Sequence, residues 1–175
     1  MRRLLLLRHA KSSWDQGDLD DASRPLAPRG RRAAPLIGRH ISRHGLVPDL
    51  VLCSTAERAR QTLELVIAEW ERPAVDRAKV EMRSSLYLAQ PGEMLAAIRR
   101  IDDAVERLMI IGHNPGMATL AMRLAAKGDP QNMVIMAAKY PTAALAVLDF
   151  EMDRWAAIAP GSGYLHAFVR PKDLQ

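Results

Sequence analysis

The chain has 175 residues, 25 Lys and Arg against 20 Asp and Glu for a formal charge of +5, and one cysteine. A chain of that length buries a core without disulfide or metal staples, so one domain spanning residues 1–175 is expected. Cys53, alone in the apolar run DLVLCS, excludes a disulfide framework and a multi-cysteine zinc site. The basic residues are scattered among carboxylates, and only 5% of residues are aromatic, which argues against nucleic acid as a partner and leaves an anionic ligand open.

In chain order, short apolar runs alternate with stretches of helical period, the pattern of strands joined by crossover helices in a mostly parallel sheet. The first expected strand is RLLLLR (3–8). The start MRRLLLLRHAK mimics a secretory leader, but four leucines before Arg8 and His9 are too few for a signal core or a membrane span. The expected setting is the cytoplasm, with no membrane partner. A helix opens near Pro28, with Ala33, Leu36, Ile37, His40, Ile41 and His44 on its apolar side. DLVLC (49–53) is the second strand. Ser54 and Glu57 then match an S-x-x-E capping box for a helix carrying Ala59, Thr62, Leu63, Val66, Ile67 and Trp70 at helical spacing. KVEM (79–82) reads as a strand and Gly92 to Asp103 as a helix. RLMIIG (107–112) is the next strand, followed by a helix with Asn114 as N-cap and Pro115 in its first position. AALAVLDF (143–150) is the last clear strand, with WAAIA as a returning hairpin arm.

Three of these strands end in polar clusters: Arg8-His9, Ser54 to Arg58, and Gly112-His113-Asn114. In an open α/β sheet the carboxyl edge is where ligands bind, so clusters about a hundred positions apart can meet there. Helices starting after Ser54 and Asn114 aim N–H groups and positive dipole ends at the same crevice. Arginines and histidines at helix N-termini describe an anion site, and a guanidinium fork matches phosphate best. Outside these clusters, His40 and His44 are expected to pack and hydrogen-bond, Arg60, Arg99 and Arg100 to be solvated, and His166 to be structural.

The pieces LLRHAKSSW (6–14), DASRPLAPRG (21–30), CSTAERARQT (53–62) and IIGHNPG (110–116) resemble, in order, the motifs of the histidine phosphatase superfamily. That superfamily includes the cofactor-dependent phosphoglycerate mutases, and the resemblance is greatest to its compact phosphohistidine phosphatase branch. It continues weakly through SSLYLAQPGEML to VRPKDL, so nearly the whole chain is covered. It implies a three-layer α/β/α, phosphoglycerate mutase-like fold. It also implies a metal-independent phosphatase with no cofactor, whose nucleophile is His9, whose phosphate clamps are Arg8 and Arg58, and whose second pocket histidine is a protonated His113. Attack by His9 requires one unprotonated ring nitrogen, with the other N–H held by an acceptor such as a backbone carbonyl.

One departure concerns the general acid. Mutases carry a glutamate just after the third strand, whereas SSLYLAQ has no carboxylate before Glu93. Asp15, Asp18, Asp20 and Asp21 form an acidic loop that could substitute. A missing acid suits phosphohistidine, because a phosphoramidate leaves once its own nitrogen is protonated, while an alkoxide needs a donor. The short chain implies an open pocket, so the expected substrate is phosphohistidine on a protein, such as a histidine-containing phosphotransfer domain, with inorganic phosphate as product. Other readings are a small-molecule phosphomonoesterase using a loop aspartate, a non-catalytic phosphate-binding module, and a metal site on His9, His113 and nearby aspartates.

Overall fold

Leu4, Leu5, Leu6 and Leu7 are completely buried, and strand alternation sends Leu4 and Leu6 into one core and Leu5 and Leu7 into another. Each such burial is worth about 1.5–3 kcal/mol. A strand apolar on both faces has to lie between two helical layers. In the computed structural model, which describes residues 1–175, this strand is β1 (Arg2–Arg8), at the centre of a seven-stranded sheet.

The remaining strands are β2 (Leu50–Ser54), β3 (Lys79–Arg83), β4 (Arg107–Gly112), β5 (Ala125–Gly128), β6 (Leu145–Phe150) and β7 (Gly163–Val169). Their order is β3-β2-β4-β1-β6-β7-β5. β1 pairs parallel with β4, β4 with β2 and β2 with β3, while β6 alone runs against the other strands. The helices are α1 (Pro28–Arg43), α2 (Glu57–Ile67), α3 (Ala74–Arg77), α4 (Pro91–Ile98), α5 (Gly116–Leu124) and α6 (Pro130–Ala138). Ala34, Ile37 and Ile41 of α1 and Ala59, Leu63 and Val66 of α2 cover one face of the sheet. Met94 and Ile98 of α4, Met117 and Leu120 of α5 and Met136 of α6 cover the other. The result is the expected α/β/α architecture with a mostly parallel sheet.

Several local expectations change. The return strand is β7, and WAAIA instead holds a short 3-10 turn at Trp155–Ala157, whose indole N–H donates to the Val105 carbonyl. Ser54 does not cap α2. It ends β2, and its hydroxyl accepts from the Ala56 N–H and meets His113, so α2 begins only at Glu57. The third helix is shorter than expected, Pro91–Ile98, and opens on a Gln90–Glu93 capping box that occupies the Glu93 carboxylate. Pro115 stands before α5 rather than in it, yet the Asn114 side chain still caps, accepting from the Ala118 N–H. His44 is exposed and stacks on His40 with ring centroids 4.1 Å apart. Arg60 pairs with Glu57 and Glu64, and Arg99 donates to the Ile158 carbonyl, so neither is simply solvated. No helix is long and apolar enough to cross a membrane.

Candidate active site

The parallel strands β1, β2 and β4 all bring their carboxyl ends to one edge of the sheet, and Arg8-His9, Ser54 and Gly112-His113 follow from them. The edge opens into a pocket of about 350 Å³ whose walls include Arg8, His9, Arg24, Arg58, His113 and Asn114. The N-termini of α2 and α5 lie beside Arg58 and Asn114. His9, Arg58 and His113 are nearly inaccessible, at 7%, 3% and 3% exposure, which for charged or chargeable side chains requires a partner or a task.

The His9 ring is held by its own chain: Nδ1–H donates to the Ala10 carbonyl at 2.7 Å. Because a carbonyl can only accept, the proton lies on Nδ1 and the lone pair on Nε2. Behind it, the Ala10 N–H donates to Thr62 Oγ1 at 2.9 Å, and the Thr62 hydroxyl donates to the Arg58 carbonyl at 2.6 Å. The Ala143 N–H reaches the carbonyls of both Arg8 and His9, and Ala143 holds a φ of +59°, a strained value for a residue with a Cβ. Gly30 belongs to the same support. A Cβ there would stand 2.2 Å from the Lys11 carbonyl oxygen, so only glycine lets the first turn of α1 lie against the segment following His9.

His113 faces His9 with ring centroids 5.1 Å apart, and its Nε2 lies 2.7 Å from Ser54 Oγ. Its Nδ1 is buried and has no protein partner, as is also true of Nε of Arg8 and of Arg58. Burial, with help from His113, Arg58 and Arg8, pushes His9 down to about 3, against the pull of the Ala10 carbonyl. Burial and Arg58 push His113 down to about 4. With no phosphoryl group bound, burial therefore favours the neutral form of both rings at neutral pH. A doubly negative phosphoryl group between them pushes the other way.

Of the four loop aspartates, only Asp21 reaches the pocket. Asp15, Asp18 and Asp20 are exposed, and Asp20 caps a 3-10 turn by accepting from the Ser23 N–H. Asp21 accepts from the Tyr87 hydroxyl, from Arg58 at 2.9 Å and from Arg24 at 3.1 Å. Those bonds, Tyr87 first, hold its carboxyl down at about 2, so at neutral pH it is an ionised clamp. Its backbone carbonyl and its carboxylate both accept from Arg58, which ties that guanidinium to the loop. Tyr87, Arg24 and Thr62 are site residues that strand-end reasoning missed. Tyr87 also sets its ring edge against His113 at 5.4 Å, and Arg24 lies 3.5 Å over the ring of Trp14. Arg24 had a signal in the RPL-x-x-RG piece, whereas the Tyr87–Asp21 bond spans 66 positions and leaves none. No three His, Cys, Asp or Glu side chains converge in a way that could hold a metal ion.

An imidazole lone pair facing a second imidazole, with two guanidinium groups in the same pocket wall at the carboxyl edge of a parallel sheet, is an arrangement able to hold and attack a phosphoryl group. Residues 4–83 match the model of the histidine phosphatase superfamily (branch 1). An uncharacterised protein of Mycobacterium tuberculosis is 38% identical over 168 residues, covering 95% of this chain and all of the relative. The structure is similar to a candidate phosphohistidine phosphatase SixA from Agrobacterium tumefaciens, with a TM-score of 0.78, 28% identity and coverage of 97% of this chain and 98% of the other. It is likewise similar to a candidate SixA from Nakamurella multipartitia, with a TM-score of 0.76, 28% identity and coverage of 97% and 96%. The chain belongs to the histidine phosphatase superfamily, in its compact SixA-like branch, and is a phosphatase.

Proposed function

We propose that the protein removes the phosphoryl group from phosphohistidine on a protein, through a covalent intermediate on His9. The observation that carries the reading is the engagement of the only carboxylate in the pocket: Asp21 accepts from Arg58, Arg24 and the Tyr87 hydroxyl, bonds that favour its ionised form and leave it ill suited to donate a proton. Serine and sugar phosphates expel an alkoxide and need such a proton, whereas a phosphohistidine nitrogen can be protonated before it leaves. The similarity to candidate phosphohistidine phosphatases supports the same substrate class.

In the first step, Nε2 of His9 attacks phosphorus in line, forming one N–P bond as the bond to the leaving nitrogen breaks. Arg8, Arg58 and the buried Nδ1 of His113 offer donors to the equatorial oxygens, and charge developing there is met by groups already in place. Phosphoryl charge draws a proton onto His113, opposing the burial that otherwise keeps it neutral. In the second step water attacks the phosphorus on His9, releasing inorganic phosphate and returning the neutral imidazole. The rim suits a macromolecular substrate, since Trp14 and Leu88 line the pocket yet are 70% and 52% exposed.

Turnover of a phosphohistidine peptide and of a phosphoserine peptide, compared for wild type and His9→Ala with chelator present, tests this. The expected result is cleavage of phosphohistidine only, abolished in the variant. Efficient phosphoserine cleavage would point to a working proton donor and a broader phosphomonoesterase. Unchanged activity in the variant would remove His9 from the mechanism.

A further inference from the structure

Beside the catalytic pocket lies a second depression of about 380 Å³, and the two share Lys11 and Thr142 in their walls. Six cationic side chains line it, Lys11, Arg29, Arg32, Lys139, Arg170 and Lys172, with no Asp or Glu side chain in the wall and the carboxylate of the final residue, Gln175, as the one anionic group there. They come from four separate places: the segment after β1, the first two turns of α1, the residue following α6, and the 3-10 turn at Pro171–Leu174 with the residue before it. Arg170 is paired with Asp173 at 2.7 Å, and the other five have no carboxylate within ion-pair distance.

Cations folded next to one another repel, and this wall gathers six of them where other parts of the surface place a carboxylate beside the cation, as at Arg3–Asp149, Arg39–Glu69 and Arg60–Glu57. A concave cluster left without such partners suits an anionic ligand. The wall carries no aromatic ring, so there is no platform for a nucleobase. Its shared edge with the catalytic pocket places whatever lies in it next to the phosphoryl group being removed.

We propose that this groove seats an acidic segment of the phosphorylated protein, so that Asp or Glu residues flanking the phosphohistidine lie along these cations while the phosphoryl group enters the catalytic pocket. The proposal rests on the reading of the substrate as protein-borne phosphohistidine and specifies which proteins qualify. Binding of this kind is sensitive to ionic strength, because the groove is open and its side chains are solvated.

Three substrates test it: free phosphohistidine, a phosphohistidine peptide flanked by Asp and Glu, and a peptide of equal length flanked by Ala and Ser. Wild type should prefer the acidic peptide by about tenfold in kcat/KM at low salt, a factor within reach of a few exposed charge pairs, and the gap should close near 1 M salt. Arg32→Glu combined with Lys172→Glu should abolish the preference and leave turnover of free phosphohistidine unchanged, which also verifies that the variant folds. A wild type without preference, or a variant that keeps it, overturns the groove. Inhibition by inorganic triphosphate that the double variant loses, without any peptide preference in wild type, would assign the groove to a small polyanion and also overturn the proposal. Failure on all three substrates would instead refute the phosphohistidine reading itself.

Discussion

Acid should unfold this protein through the two pocket histidines before it protonates the carboxylates. In the unfolded chain each imidazole takes a proton near pH 6.5. In the fold, His9 resists until about 3 and His113 until about 4, because protonation would place charge where water cannot reach and where Arg58 already sits. Between those values only the unfolded chain binds the protons, so stability is fully present above pH 6.5 and falls as pH drops. At pH 5 the penalty is about 2 kcal/mol per ring and about 4 kcal/mol for the pair. For a chain of this size that lowers Tm by about 10 °C. The check is denaturant unfolding from pH 7.5 to 5 of wild type beside His9→Gln/His113→Gln, because other groups titrate equally in both proteins. The double variant should lose most of the acid sensitivity. Parallel pH profiles for the two proteins, or imidazole resonances of His9 and His113 titrating near 6.5, would refute the reasoning.

Asp21→Asn should lower kcat/KM by about tenfold to a hundredfold, because Arg58 loses the carboxylate that positions it, while the shape of the pH–rate profile stays as in wild type. A wild-type profile with an alkaline limb that disappears in the variant would show that Asp21 does donate a proton. Thr62→Val removes the hydroxyl between the Ala10 N–H and the Arg58 carbonyl and leaves a buried donor unpaired, so it should cost about 1–3 kcal/mol in urea unfolding and slow turnover. Gly30→Ala drives a Cβ into the Lys11 carbonyl and should destabilise by about 1–3 kcal/mol, with activity falling as the segment after His9 shifts; unaltered Tm and activity would show that α1 moves away freely.

The central half of the sheet was legible because burial on both faces writes itself as continuous apolar runs: LLLL, LVLC and LMIIG are β1, β2 and β4, and their polar ends meet where parallel strands require. β7 was hidden because one face is wet, so that Tyr164 and His166 alternate with Leu165 and Ala167 and read as an unremarkable mixture. β5 is only four residues, AAKG, at the sheet edge, too short for any period. Ser54 misled in an informative way: its spacing to Glu57 fits a capping box, yet its hydroxyl is engaged by His113, a bond across 59 positions that no local pattern reveals. The acidic loop was legible as charge but not as geometry. Which of four aspartates turns inward depends on Arg58, Tyr87 and Arg24, which come from three distant parts of the chain.

The account stands on Nε2 of His9 as the attacking atom. Mixing the enzyme with radiolabelled phosphohistidine peptide in the presence of chelator, quenching within milliseconds in alkali and mapping the label by mass spectrometry tests that directly. The account predicts an acid-labile phosphoryl group on His9 that appears and decays within one turnover and is absent in His9→Ala. A phosphatase that turns over the same peptide with no label on the protein, or with label on another residue, would contradict it.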